Sequence, residues 1–196
     1  MTYTTYKTNK KALPGGFTPH GGYRKLLSFQ TTTIIYDLVM IFVPRYIPIG
    51  SRTRDQMEQA ARSGRQNIAE GSQASSTSRK SEIVLVNVAR SSLEELLNDF
   101  EDFLRQRGMQ LWDKDHPKAK AVRALGYTSH RTYETYTTYT QTPEEFANCV
   151  LCLIHQANYL LDRQLAALDK ALVEDGGYSE NLLKRRLDFR ARKSPK

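Results

Sequence analysis

The strongest constraint on this chain is a long stretch of helical periodicity at residues 79–107. Its apolar side chains recur every three or four residues, which places them on one face of an α-helix. Gly108 predicts the end of this helix, and the hydroxyl of Thr77 or Ser78 predicts its N-cap. Because one face is apolar, the helix must pack against other elements. That face comprises Leu85, Val86, Ala89, Leu93, Leu96, Leu97, Phe100, Phe103 and Leu104.

Three further segments, 23–43, 54–70 and 143–173, show the same periodicity. Four substantial helices and no convincing sheet predict an all-α protein. Within that class we expect an up-down four-helix bundle with a flexible N-terminal arm and a C-terminal basic extension.

Residues with capping or helix-breaking chemistry mark the boundaries of these segments. The predicted boundary residues are Pro44 and Pro48 at the end of the first helix, Thr53 and Gly71 as N-cap and C-cap of the second, Gln56 as capping-box partner of Thr53, and Thr142 as N-cap of the last.

Two of the helices have distinctive packing faces. The second has a narrow face of mostly small residues, which permits close approach of another helix: Met57, Ala60, Ala61, Gly64 and Ile68. The last has a seam close to a heptad repeat, which is typical of helix association: Val150, Ile154, Ala157, Leu161, Leu165, Leu168 and Leu172.

The sequence divides into a flexible arm at 1–22, a bundle at 23–175 with an irregular insertion at 108–142, and a basic tail at 176–196. Inside the insertion, 118–125 predicts a short helix. The Thr- and Tyr-rich part, 127–142, predicts extended or loop structure because its β propensity is high and no second strand exists.

The role of the tyrosines in this insertion has two interpretations. Tyr133, Tyr136 and Tyr139 either pack the segment onto the bundle or stack on nucleic-acid bases, as aromatic platforms do. Packing is the favoured interpretation, because few basic residues interleave with them beyond Arg131.

The net charge of +8 is concentrated at the two ends of the chain. Residues 1–25 carry +5 and residues 179–196 carry +5, whereas 26–178 carries −2. Within that near-neutral part, residues 45–90 are locally +4. Such an excess favours an anionic partner such as nucleic acid or a membrane surface.

Several protein classes are disfavoured. The longest apolar run, 38–43, is far shorter than the roughly 20 residues that span a bilayer, so we expect no membrane partner. The first residues lack the apolar stretch of a signal peptide. Two cysteines give no disulfide framework. A cytoplasmic location is the resulting expectation.

The residues best suited to metal binding or catalysis do not form a recognisable site. Cys149, Cys152 and His155 follow one another at i+3 spacing, but zinc needs about four ligands and the chain holds no other cysteine. We therefore expect core cysteines beside a surface histidine. The carboxylates of Glu94, Glu95, Asp99, Glu101 and Asp102 predict a solvated acidic face. No catalytic residue, metal or cofactor is predicted, and the chain is expected not to be an enzyme.

Arginines form a stripe along the second helix, opposite its small-residue face. Arginine is suited to bidentate contact with phosphate, which predicts nucleic-acid binding. Salt bridges with the acidic third helix, within one chain or between subunits, are an equally weighted alternative. The predicted nucleic-acid-binding residues are Arg52, Arg54, Arg62, Arg65, Arg79, Lys80, Arg90, Lys184, Arg185, Arg186 and Arg190.

Two sequence blocks together resemble a known family. They are SGRQNIAEG at 63–71 and VARSSLEEL at 88–96. The pair resembles the four helix bundle protein family, also called large-subunit ribosomal RNA intervening-sequence proteins, and 154–177 is similar to its variant with a C-terminal suffix. Asn67, Glu70 and Gly71 match the first block residue by residue. They are interpreted as structural, with Glu70 contacting Arg90.

The resemblance implies an up-down bundle, often a ring-shaped homopentamer. It also implies partners, because one relative, an accessory protein of diversity-generating retroelements, binds nucleic acid and a reverse transcriptase. We therefore expect a non-enzymatic nucleic-acid-binding or scaffolding protein that contacts the phosphates of RNA or DNA with weak sequence specificity. The alternative is a homo-oligomeric protein–protein assembly module that binds no nucleic acid, assembling through the seam of the last helix and the basic tail.

Overall fold

The computed structural model describes residues 22–75 and 77–193, and this part of the chain is all-helical. The arm predicted at 1–22 lies, except for Gly22, outside the described residues. Two short 3-10 helices occur, at Gly22–Lys25 and Tyr133–Thr140. The α-helices are α1 (Leu27–Tyr46), α2 (Arg52–Ala74), α3 (Arg79–Gln106), α4 (Pro117–Leu125), α5 (Pro143–Asp175) and α6 (Tyr178–Lys193).

The predicted starts of two helices are confirmed by their capping hydrogen bonds. The hydroxyl of Ser78 accepts a bond from the backbone N–H of Ser81 at the start of α3. The hydroxyl of Thr142 accepts one from the N–H of Glu145 at the start of α5. Each bond satisfies one of the backbone donors that a helix leaves unpaired in its first turn.

The predicted boundaries of the first two helices are partly wrong. Pro48 follows the C-cap of α1, as predicted, whereas Pro44 lies within the last turn of α1, where its fixed φ is compatible with the helix. At the other boundary, α2 already includes Thr53, and its N-cap is Ser51, whose side chain makes no capping bond. Gly71 does not cap α2 but lies within it.

Helices α1, α2, α3 and α5 enclose the core, and Phe42 of α1 lies at its centre. The ring centroid of Phe42 is 4.8 Å from those of Phe100 and Phe103 on α3. It is 5.2 Å from that of Phe146 on α5 and 4.9 Å from that of Tyr46. Phe42, Phe100 and Phe146 are completely buried. This aromatic cluster therefore joins three of the four helices by edge-to-face and tilted contacts.

Small residues bring α2 close to α3, as predicted. A Cβ on Gly64 would lie 2.9 Å from Leu93 Cδ2, and one on Gly71 would lie 3.4 Å from the carbonyl oxygen of Glu82. The hydroxyls of Ser63 and Ser92 are hydrogen-bonded at 2.9 Å across the same contact. Because positions increase along α2 as they decrease along α3, the two helices are antiparallel. The whole predicted small-residue face is buried.

The buried side-chain amide of Asn148 on α5 hydrogen-bonds to the start of the insertion at 108–142. The side-chain oxygen of Asn148 accepts from the backbone N–H of Trp112, and its nitrogen donates to the carbonyl of Gln110. The short helix predicted at 118–125 is confirmed as α4.

The extended or loop structure predicted for 127–142 is wrong where it covers Tyr133–Thr140, because those residues form a 3-10 helix. Tyr136 is completely buried, and Tyr133 and Tyr139 are half-buried against the core. This confirms that the three tyrosines pack the insertion onto the other helices.

The seam of α5 is used inside the chain. Val150, Ile154, Ala157 and Leu161 are completely buried in its core. Helix α1 has the length and apolar composition to cross a membrane, and half of its most apolar window is buried against other described residues. Helix α6, in contrast, contains no buried residue.

We expect the contact at Gly64 to be sensitive to side-chain volume. Gly64→Val should lower the free energy of unfolding by about 2–3 kcal/mol, because Leu93 is completely buried and cannot move away freely. Denaturant unfolding measures this loss. Gln59→Val, at an exposed position of α2, is the matched control and should cost less than about 1 kcal/mol. Equal losses in the two variants would contradict the close approach of α2 and α3.

Candidate nucleic-acid interface

The predicted phosphate-binding residues are spread along the length of the molecule. Helix α2 is about 35 Å long. Arg52 and Arg54 lie at its start, which is far from the start of α3 because the helices are antiparallel. Arg79 and Lys80 begin α3, and they line one small cavity together with Gly177–Glu180 at the start of α6. The tertiary structure thus places Arg79 and Lys80 beside α6 and separates them from Arg52 and Arg54.

Four of the predicted arginines already have partners within the chain. The Nε of Arg54 is 3.7 Å from a carboxylate oxygen of Glu58, one turn along α2. The Nε of Arg90 is 2.6 Å from Asp162 on α5. Arg79 bonds the carbonyl of Ala171 and is 3.1 Å from Asp175. These pairs are at least partly exposed, so each contributes little to stability.

The fourth, Arg65, lies over an aromatic ring. Its guanidinium carbon is 4.1 Å from the ring centroid of Tyr36 on α1, which is cation–π geometry. Partial burial raises the pKa of the neighbouring Asp37 carboxyl above its ordinary value, and the charge of Arg65 opposes that rise.

The salt bridges considered from the sequence do exist, but not with the acidic third helix. The partners of Arg54, Arg65, Arg79 and Arg90 lie on α1, α2 and α5. The contact expected between Glu70 and Arg90 is also wrong, because Arg90 pairs with Asp162 and Glu70 accepts a bond from Gln66. The arginines of α2 turn away from α3 because its small-residue face occupies that contact.

The other predicted residues are exposed. Of the eleven, five have side chains with no hydrogen bond or ion pair to any described residue: Arg52, Arg62, Lys80, Lys184 and Arg186. The Nε of Arg185 donates to the carbonyl of Asn181 at 3.4 Å, and Arg190 has a contact within the chain.

Helix α6 concentrates this exposed charge. It carries six cations against Glu180 and Asp188, and none of its residues is buried. Arg186, Arg190 and Lys193 are spaced at i, i+4 and i+7, so they share one face. Apolar side chains lie to either side of that face: Leu182 and Phe189 on one edge, Leu183 and Leu187 on the other.

The acidic face of α3 is present as predicted, and its negative charges repel one another. Partial burial raises the pKa of Asp99, and the negative charges of Asp102 and Glu95 raise it further. Glu95 also lines a groove of about 370 Å3 between α2 and α3, together with Asp55. This surface is electrostatically complementary to α6.

The cysteines and the histidine are placed as expected. Cys149 is completely buried and Cys152 is 9% exposed, whereas His155 lies on the surface of α5. Burial raises the pKa of the Cys149 thiol well above its usual range. Burial also raises the pKa of Cys152, to about 11, although the charge of Arg123 opposes that rise. Both side chains are therefore neutral thiols at neutral pH.

Sequence reasoning missed a cleft between α4 and α5. Its volume is about 460 Å3, and the residues that line it include Tyr127, Tyr159, Lys120, Arg123 and His155. These residues are as far as 39 positions apart in the chain. No local pattern relates them, because the contact depends on how the insertion folds back onto α5.

Because the pKa of Asp99 is raised, replacing its carboxyl with a neutral amide should stabilise the folded protein at neutral pH. The folded state holds the proton more tightly than the unfolded state, so the contribution of this group is lost as pH rises through its folded pKa. Asp99→Asn should therefore raise the melting temperature by about 1–2 °C at pH 7 and leave it unchanged near pH 3. Thermal unfolding at both pH values measures this. Asp169→Asn, at an exposed position of α5, is the control. An equal rise in melting temperature in the Asp169 variant, or a lower melting temperature in the Asp99 variant, would contradict the repulsion among the carboxylates.

Comparison with known proteins found no matching family model, no similar curated protein and no similar solved structure. A function for this chain therefore has to be inferred from its own charges, clefts and exposed side chains.

Proposed function

We propose that this chain is a non-enzymatic nucleic-acid-binding protein that contacts the phosphates of RNA or DNA with weak sequence specificity. The observation that carries the proposal is α6, a helix with six cations, two acids and no buried residue. An element that contributes nothing to the core but concentrates positive charge is suited to an anionic partner.

The residues without partners extend this surface beyond α6. Lys80 lies at the same end of the molecule and lines a cavity with the first residues of α6. Arg62 is exposed near the middle of α2. Phosphate contacts of this kind position a nucleic acid without reading its bases, which is the reason for weak specificity.

We propose further that the fold is an up-down four-helix bundle formed by α1, α2, α3 and α5. Pairs of antiparallel contacts support this topology: Gly64 to Leu93 and Gly71 to Glu82 between α2 and α3, and Arg90 to Asp162 and Arg79 to Asp175 between α3 and α5. The sequence blocks at 63–71 and 88–96 support membership of the intervening-sequence protein family. On that basis we propose a homopentamer as the oligomeric state and a reverse transcriptase or other protein as a partner.

Homo-oligomeric assembly without nucleic acid is the second candidate function. The observation that favours it is the acidic surface of α3, whose Glu95 and Asp99 have no ion-pair partner among the described residues. A basic α6 from a second copy is of suitable charge to cover it. The seam of α5, however, is largely occupied within the chain and does not support assembly.

The test of nucleic-acid binding is its dependence on salt and on α6. Labelled RNA and DNA should bind at low ionic strength and weaken steeply as salt rises, because bound phosphates release counterions. Lys184→Glu with Arg186→Glu should weaken binding and lower the salt slope by about 2. Arg45→Glu with Arg105→Glu changes the net charge equally at exposed positions far from α6 and is the matched control. Absence of binding at low salt, or equal effects of both pairs, would contradict the proposal.

Deleting 179–196 separates the two candidate functions, since no residue of α6 is buried and the core should remain folded. Solution mass and binding are measured on the same variant. Loss of binding with an intact oligomer supports nucleic-acid binding through α6. Loss of the oligomer with intact binding supports assembly through the tail.

A further inference from the structure

The cleft between α4 and α5 combines aromatic rings and cations. Tyr127 is 93% exposed and Tyr159 is 61% exposed, so neither contributes to the core. Both line the same cleft of about 460 Å3. Its volume is within the range of small-ligand sites, and both tyrosine side chains are exposed enough to contact a ligand.

The backbone at the end of α4 positions Tyr127 at this cleft. A Cβ on Gly126 would lie 2.8 Å from the carbonyl oxygen of Arg123 and 2.9 Å from Nε2 of Gln156. The Gln156 side chain donates to that same carbonyl at 3.2 Å. Glycine therefore permits the close contact between the end of α4 and α5 that presents Tyr127 beside Tyr159.

The charged residues of the cleft are basic. The imidazole of His155 is exposed and makes no hydrogen bond or ion pair with a described residue. Arg123 is held in place by a bond to the carbonyl of Lys114. Lys120 is 3.1 Å from Asp115, but both side chains are exposed, so this weak pair can exchange for another anion. Among the described residues that line the cleft there is no carboxylate.

The cationic surface continues beyond the cleft on both sides. Arg163, one turn along α5, has its guanidinium carbon 6.0 Å from the ring centroid of Tyr159. Arg123 and His155 also line an adjoining cleft of about 600 Å3, whose other charged residues are Asp113, Lys114 and Asp115. The combination of exposed tyrosine rings and cations in the first cleft is the chemistry that binds unpaired nucleotides.

We propose that this cleft binds an unpaired nucleotide of an RNA or DNA strand. The base stacks against Tyr127 and Tyr159, and the phosphate faces Arg123, Lys120 and His155. This inference rests on the proposed function and deepens it, because α6 attracts any nucleic acid whereas the cleft selects single strands. Bases in a duplex are already stacked and do not present a free face to a tyrosine ring.

The experiment compares three probes with the full-length chain: a single strand of about 15 nucleotides, its duplex, and the same strand with abasic sites. The wild-type chain should bind the single strand more tightly than the other two. Tyr127→Leu with Tyr159→Leu should lower affinity for the single strand about tenfold or more, leaving duplex affinity and the salt slope unchanged. Tyr127→Phe with Tyr159→Phe keeps both rings and should retain the wild-type affinity.

The outcomes distinguish this inference from the proposed function. Absence of binding to all three probes at low salt overturns both. Equal binding to single strand and duplex, or full affinity in the leucine variant, overturns the cleft alone and leaves phosphate binding by α6 intact. Because both tyrosines are exposed, thermal unfolding of the leucine variant should match the wild type, so a loss of affinity reports the lost rings.

Discussion

The aromatic cluster around Phe42 is the interaction on which the rest of the structure depends. One side chain of α1 contacts rings from α3 and α5 at centroid distances near 5 Å. Because these rings are buried and in edge-to-face or tilted contact, they fix both the separation and the relative rotation of the three helices. Helix α2 then needs only a narrow face of small residues to lie against α3, which Gly64 and Gly71 supply.

This packing decides where charge appears on the surface. The small-residue face of α2 is directed to α3, so its arginines are directed elsewhere, and Arg54 and Arg65 find partners on α2 itself and on α1. Glu95 and Asp99 on the acidic face of α3 therefore have no arginine partner, and partial burial together with the charges of Asp102 and Glu95 raises the pKa of Asp99. The near-neutral charge of residues 26–178 thus conceals an acidic surface on α3, and the six cations of α6 lie beyond that part of the chain.

The insertion at 108–142 adds a second surface to the helices. Asn148 is buried on α5 and binds the backbone of Gln110 and Trp112 through its side-chain amide. That contact fixes the start of the insertion, and buried Tyr136 fixes its later part. Between them α4 lies along α5, which creates the cleft with two exposed tyrosines. A polar side chain that satisfies both its donor and its acceptor is well suited to such a role, because an unsatisfied buried amide is costly.

The sequence by itself determined the all-α class, the extents of α3, α4 and α5 to within two residues, and the burial of the small face of α2. These features depend on local periodicity, capping hydroxyls and glycine, all of which are read along the chain. Only the tertiary structure decided the partners of the arginines, the position of Gly71 inside α2, the 3-10 helix at Tyr133–Thr140 and the cleft beside Tyr127. The physical reason is that each of these depends on residues distant in sequence, whose contacts follow from how the helices pack.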